Sequence, residues 1–161
     1  MKLPVFSRSK RRLLGATGDQ PPGKIRLYLD HTRFVNNWDL VDCSAREIVG
    51  SYLADKTRKP LDRLAASKMI WERRISIIAT GYFIRQGDFG DTLRIAEHLL
   101  GDRADLIHKA TGWMLREVGK RDEALLEKFL LTHAHVMPRT MLRYAIERFP
   151  LGVCPSIAFG P

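Results

Sequence analysis

The feature that most constrains the fold is an uninterrupted succession of helical patterns between Lys24 and Phe149, with no convincing strand among them. Apolar residues recur at spacings of three and four, and several segments start with an acid and end with glycine or a base, as helix capping prefers. The predicted helices span residues 25–36, 38–54, 60–67, 69–86, 88–100, 105–119, 122–133 and 138–149. The sequence therefore predicts an all-α fold.

The flanking segments have a different composition. Residues 1–23 hold a basic cluster followed by a stretch rich in glycine and proline, which predicts a disordered basic tail. Residues 150–161 contain three prolines and two glycines and predict an irregular C-terminal tail. We expect one helical domain over residues 24–149, because 161 residues suffice for one domain with a substantial core.

The charge balance points to a polyanionic partner. The chain has 27 basic and 18 acidic residues, a net charge of +9. Residues 1–23 hold five basic residues and one acid, so residues 24–161 keep 22 basic and 17 acidic residues. The predicted domain is therefore only mildly basic, and a surface that binds nucleic acid would require an uneven distribution of these charges.

The segment Asn36–Asp42 carries the most unusual pair of side chains. Asn37 is a good N-cap, so the following helix should begin at Trp38, with Asp39 in its first turn. Trp38 and Asp42 are four residues apart and share one helical face. A tryptophan beside a carboxylate that capping does not need suggests a functional site, although a core tryptophan with a solvated aspartate at its edge is the simpler reading of this pair alone.

Other chemistries find little support in the sequence. Two cysteines, Cys43 and Cys154, form no disulfide framework, and Cys43 is expected to pack as a small apolar residue. The five histidines show no metal-ligand spacing, and neither a glycine-rich phosphate loop nor a serine elbow occurs. No run approaches the roughly 20 apolar residues of a transmembrane helix. We expect a cytoplasmic protein without a metal or another cofactor.

Basic residues recur at similar places in successive helices. Arg74 and Lys109 are 35 residues apart, and Arg139 follows 30 residues later. Such a period is typical of a helical solenoid that lines one concave face with positive charge. The spacing alone leaves open whether these are instead independent surface bases on amphipathic helices.

Five ordered blocks of this sequence resemble the AlkD-like DNA alkylation repair family. The blocks are Asn36–Asp42, Trp71–Thr80, Gln86–Phe89, His108–Lys120 and Met137–Arg148. The resemblance covers residues 24–149. It implies a HEAT-like helical-repeat solenoid of antiparallel helix pairs, with a concave basic face that holds duplex DNA. It also implies a glycosylase that excises cationic N3- and N7-alkylated purines in base excision repair. We expect this protein to be a monomer.

The resemblance also assigns roles to individual residues. Asp42 matches the catalytic aspartate of the family, and Trp38 and Trp113 match its two tryptophans. The expected DNA-binding residues are Arg74, Lys109, Arg139 and Arg143. For Trp113, a place in the core is an alternative, because it shares an apolar stripe with neighbouring residues. Arg73 competes with Arg74 for the functional position, and only the resemblance favours Arg74.

Two departures from the family pattern leave a second function open. Relatives carry further helices before the first tryptophan helix, whereas one helix is predicted here, so the chain resembles an N-terminally truncated member. Residues after Phe149 do not continue the family pattern. The alternative function is a non-catalytic helical-repeat module that binds DNA or protein.

Overall fold

A computed structural model describes residues 23–149 and shows that this part of the chain is helical, without a strand. The predicted all-α class is confirmed. The α-helices are α1 (Gly23–Asp30), α2 (Trp38–Ala45), α3 (Lys59–Ala65), α4 (Ile70–Ala79), α5 (Gly81–Arg85), α6 (Gly90–His98), α7 (Asp105–Gly119), α8 (Glu123–His133) and α9 (Arg139–Ile146). The predicted tails lie outside the described residues, apart from Gly23, which begins α1.

Several helix ends follow from local chemistry. The Asn37 side chain accepts a hydrogen bond from the backbone N–H of Asp39 at 3.2 Å and starts α2, as the sequence predicts. Asp122 caps α8 in the same way, with its carboxylate 2.9 Å from the backbone nitrogen of Leu125. Gly87 follows α5 at a φ of 79°, a left-handed conformation that glycine adopts without steric cost.

Three predicted helices are divided in the structure. The predicted helix 69–86 is interrupted at Thr80, whose hydroxyl donates a 2.7 Å hydrogen bond to the carbonyl of Ile77. Such hydroxyl bonds to the preceding turn often bend helices. The predicted helix 38–54 is α-helical to Ala45 and continues as a π-helical turn over Arg46–Gly50. The predicted helix 25–36 becomes α1 and a separate 3₁₀ turn, Thr32–Phe34.

Helices α2, α4, α7 and α9 pack side by side in a row, and other helices pack against this row. Helix α2 packs against α4, α4 against α7, and α7 against α9. Helix α3 lies against α4, α6 contacts both α4 and α7, and α8 packs against α7. Some neighbours in the sequence therefore also pack together, such as α3 with α4, α6 with α7 and α7 with α8. The helical-repeat solenoid and its concave basic face remain predictions.

Recurrent glycines allow the helices of the row to approach closely. Gly50, Gly81 and Gly112 lie at intervals of 31 residues. A Cβ atom on Gly50 would lie 2.6 Å from the Cβ of Tyr82, and one on Gly112 would lie 2.6 Å from the Cβ of Tyr144. Real Cβ atoms do not approach so closely, so both positions require glycine. This interval is a sharper internal repeat than the spacing of the basic residues.

The core lies between the row and its partners. Phe83 and Ile75 are completely buried in the central helices, and Val41, Ala45 and Val49 form the buried stripe of the second helix and its π-helical turn. Apolar burial of this kind is the main favourable term in folding. Among residues 23–149, no helix is long and apolar enough to cross a membrane.

Candidate active site

The second helix carries its two functional candidates at the border of its buried stripe. Trp38 is 55% exposed, so a place in the core is excluded for this tryptophan. Asp42 follows one turn later, and its side chain is only 13% exposed. An exposed aromatic surface thus lies next to a largely buried carboxylate on the same helical face.

Arg74 on α4 holds the Asp42 carboxylate by two hydrogen bonds. Its Nε donates to Oδ1 at 2.9 Å, and its Nη2 donates to Oδ2 at 2.7 Å. The remaining terminal nitrogen donates to the backbone carbonyl of Leu106 at the start of α7. This bidentate arrangement is the strongest and most directional form of an ion pair between side chains. It fixes the carboxylate between three helices of the row.

The ion pair with Arg74 leaves hydrogen-bond acceptor positions free on the Asp42 carboxylate. A carboxylate offers about four lone-pair positions, and Arg74 occupies one on each oxygen. The carboxylate can therefore still accept a hydrogen bond from a water molecule. A charge whose orientation is fixed in advance stabilises an opposite charge without further reorganisation. The arrangement suits a reaction in which positive charge develops near Asp42.

This placement bears on the predicted role of Arg74. Its side chain is 6% exposed and is engaged with Asp42 and Leu106. The position favours a role in holding the carboxylate rather than a direct grip on a phosphate. Arg73, the competing candidate, points elsewhere, because its Nε donates to Asp102 at 2.6 Å and its Nη1 donates to nearby backbone carbonyls.

Trp113 occupies the middle of α7 and is half-buried. Its indole nitrogen donates a 3.2 Å hydrogen bond to Glu117 one turn later. Burial opposes ionisation of Glu117, but the hydrogen bonds from Lys120 and Trp113, together with nearby positive charge, outweigh it and lower the pKa of this carboxyl. Trp113 packs against the core but is only partly buried. Both predictions for this residue, a place in the core and a role in the site, therefore stay predictions.

The predicted DNA-binding residues of α7 and α9 are accessible to different degrees. Arg139 and Arg143 are exposed on α9, and neither has an acidic partner in the part of the chain that the structure describes. Arg143 lies over the ring of Tyr144, with its guanidinium carbon 5.8 Å from the ring centre. Lys109 forms an ion pair with Asp105 at 2.7 Å, and the pKa of Lys109 is raised by this hydrogen bond. An exposed pair of this kind exchanges partners at little cost.

One expectation about this helix is wrong. Cys43 was expected to pack as a small apolar residue, but it is exposed. Its thiol donates a weak hydrogen bond to Asp39 at 3.7 Å. The negative charge of Asp39 raises the pKa of the thiol, which reduces its reactivity. The helix turns this position towards solvent because Val41 and Ala45 occupy the buried side.

Arg46 is a candidate that the sequence reasoning missed. It is half-buried and follows Asp42 by one helical turn, on the face that Trp38 and Asp42 already share. The spacing of four residues from Trp38 to Asp42 to Arg46 was available in the sequence as a signal. What the sequence could not show is that the Arg46 side chain forms no hydrogen bond or ion pair with any residue between 23 and 149.

Fold and site together define an all-helical protein of paired helices with a tryptophan and a fixed carboxylate on one face. The model of the DNA alkylation repair enzyme family matches residues 11–149, and the chain belongs to that family. The match confirms the resemblance seen in the sequence. Comparisons with curated proteins and with solved structures found no match.

Proposed function

We propose that the protein is a DNA glycosylase that releases N3- and N7-alkylated purines from duplex DNA. The observation that carries the proposal is the Asp42 carboxylate, held by Arg74 at 2.9 and 2.7 Å beside the exposed ring of Trp38. Membership of the DNA alkylation repair enzyme family supports the nature of the substrate.

The chemistry of the lesion explains why one carboxylate suffices. A purine alkylated at N3 or N7 carries a positive charge, so its glycosidic bond is weak and the base departs neutral. The enzyme need not protonate it. It must stabilise the positive charge that grows on the deoxyribose and deliver a water molecule to that carbon. A fixed carboxylate performs both tasks, as a counter-charge and as a hydrogen-bond acceptor for the water.

The remaining residues have supporting roles in this proposal. Trp38 attracts the cationic nucleotide through the negative face of its ring, and Trp113 provides a second aromatic surface on α7. Arg74 positions the carboxylate. Arg139, Arg143 and Lys109 supply positive charge for the phosphate backbone, which binds DNA without reading its sequence.

The decisive experiment compares Asp42→Asn with Asp39→Asn. Both changes remove one negative charge from α2, but Asp39 is exposed in the first turn and has no part in the proposed site. Loss of a preorganised electrostatic group reduces rates by about 100- to 1,000-fold. We expect that loss in single-turnover release of N7-methylguanine for Asp42→Asn, and a rate near that of the unmodified protein for Asp39→Asn. Circular dichroism establishes that both variants are folded.

A second candidate function is a non-catalytic helical-repeat module that binds duplex DNA. One observation favours it: both oxygens of Asp42 are already engaged by Arg74, as in an ion pair with a purely structural role. This candidate predicts that the unmodified protein binds duplex DNA but releases no base from any alkylated lesion. Equal single-turnover rates for Asp42→Asn and the unmodified protein would exclude the catalytic assignment of Asp42.

A further inference from the structure

Arg46 is a half-buried cation without a counter-charge in the described part of the chain. The acids nearest to it along the helix are already engaged, because Asp42 is bound by Arg74 and Glu47 pairs with Arg85 at 3.1 Å. A guanidinium carries five N–H donors in a planar fork. The Arg46 nitrogens are not among the fully buried polar atoms that lack a partner, so solvent or a ligand can reach this guanidinium.

The side chain of Arg46 passes close to Gly81. A Cβ atom on Gly81 would lie 3.4 Å from the Cδ of Arg46 and 3.6 Å from its Nε. The same Cβ would lie 3.3 Å from the sulfur of Met114. The stem of Arg46 therefore passes the start of α5 next to α7, at ordinary contact distance from the position that a Cβ atom on residue 81 would take.

The local backbone changes at the same residue. The second helix is α-helical up to Ala45, and the π-helical turn begins at Arg46. Single π-helical turns are uncommon and frequently occur at functional sites, where they alter the direction of side chains. The turn thus begins at the unpaired arginine, four residues after Asp42.

We propose that Arg46 binds a backbone phosphate of the DNA strand that carries the lesion. Arg46 lies one helical turn from Asp42, a rise of about 6 Å. Successive nucleotides of one strand rise by about 3.4 Å, so a phosphate one or two nucleotides from the sugar that faces Asp42 lies within reach. The planar fork of arginine fits two phosphate oxygens, which supplies the missing counter-charge. This inference rests on the proposed function, because Asp42 defines where the sugar lies.

The test measures binding of unmodified and abasic-site duplexes over a range of salt concentrations. Arg46→Gln removes the charge and keeps a polar side chain of similar length. Arg85→Gln is the matched control, because it removes the same charge from an exposed arginine that pairs with Glu47. Each phosphate contact contributes about −0.9 to the slope of log K against log salt. We expect Arg46→Gln to flatten the slope by that amount and to weaken binding about 10- to 100-fold, as for loss of a hydrogen bond to a charged group.

Two further variants separate charge from shape. Arg46→Lys keeps one positive charge and should retain the slope, while losing part of the affinity because lysine lacks the planar fork. Gly81→Ala keeps the charge and places a methyl group at ordinary contact distance from the stem of Arg46, so both slope and affinity should stay close to those of the unmodified protein. Circular dichroism spectra identify any variant that fails to fold.

The outcomes distinguish this inference from the glycosylase proposal. A flattened slope for Arg46→Gln in a protein that releases no alkylated base supports the phosphate contact and refutes the glycosylase. Base release with equal slopes for Arg46→Gln and Arg85→Gln overturns the phosphate contact alone. Absence of any binding to duplex DNA by the unmodified protein overturns both.

Discussion

Replacement of Arg74 by methionine should destabilise the protein strongly. The Arg74 side chain is 6% exposed and that of Asp42 13% exposed, so the pair is largely removed from water. Arg74→Met leaves the carboxylate without its two hydrogen bonds and removes the donor to the Leu106 carbonyl. Removal of one partner of a buried pair costs about 3–5 kcal/mol. That is a large part of the roughly 5–15 kcal/mol that stabilises a typical domain.

Urea denaturation measures this loss against a matched control. With a slope of about 2 kcal/mol per molar urea, a loss of that size lowers the unfolding midpoint by about 1.5–2.5 M. Arg85→Met is the control, because Arg85 pairs with Glu47 but both side chains are more than half exposed. Exposed pairs contribute about 1 kcal/mol at most, so the control midpoint should move by about 0.5 M or less.

The double variant Asp42→Leu with Arg74→Met tests whether the loss of stability comes from the unpaired, buried carboxylate. Replacing a buried ion pair by apolar side chains is often neutral or stabilising, so the second substitution should recover most of the lost stability. A midpoint for Arg74→Met no lower than that of Arg85→Met would refute the reasoning that this pair is buried and coupled. Failure of the double variant to recover would assign the loss to the Leu106 contact instead.

The role of Arg74 in DNA binding is tested by Arg74→Lys. If Arg74 contacts a phosphate directly, as the resemblance implies, the lysine charge would keep part of that contact. Neither the salt slope of DNA binding nor the rate of base release would then change much. A positioning role predicts a different combination, because lysine cannot hold both carboxylate oxygens in one plane. Base release should then fall while affinity and salt slope for undamaged duplex stay unchanged. A loss confined to affinity would restore the phosphate assignment.

Two further predictions concern packing and substrate. Gly112→Ala should cost about 1–3 kcal/mol, because its Cβ would lie 2.6 Å from the Cβ of Tyr144 and force α7 from α9. Gly101→Ala, where nothing lies within 4 Å, is the control, and an equal urea midpoint for the two variants would contradict the close approach. On substrate, we expect release of N7-methylguanine and N3-methyladenine but not of uracil or 1,N6-ethenoadenine, because neutral bases need protonation or an anion-stabilising pocket. Single-turnover assays with one oligonucleotide per lesion measure this, and efficient uracil excision would contradict the mechanism.

Local sequence determined the features that depend on neighbouring residues. Helical periodicity and the absence of strand patterns predicted the all-α class, and Asn37 predicted the start of the second helix, because a cap acts within one turn. The shared face of Trp38 and Asp42 follows from helical geometry alone. The ordered blocks of residues were enough to identify the family.

Tertiary packing decided which partners these residues have. Asp42 and Arg74 are 32 residues apart in the sequence, and nothing local indicates that they form a bidentate pair. The buried Glu72 similarly accepts hydrogen bonds from Thr32, 40 residues away, and from the nearby Ser67. Partner choice over such distances depends on how the helices dock, which local patterns do not encode.

The same distinction holds for the charges of the site. The sequence shows Arg46, Arg74 and Arg139 as equivalent cations on amphipathic helices. In the folded chain Arg74 is buried against a carboxylate, Arg139 is exposed, and Arg46 lies half-buried across Gly81. Composition fixes how many charges the chain carries, but burial and counter-charges decide which of them can bind a ligand, and both arise only when the helices pack.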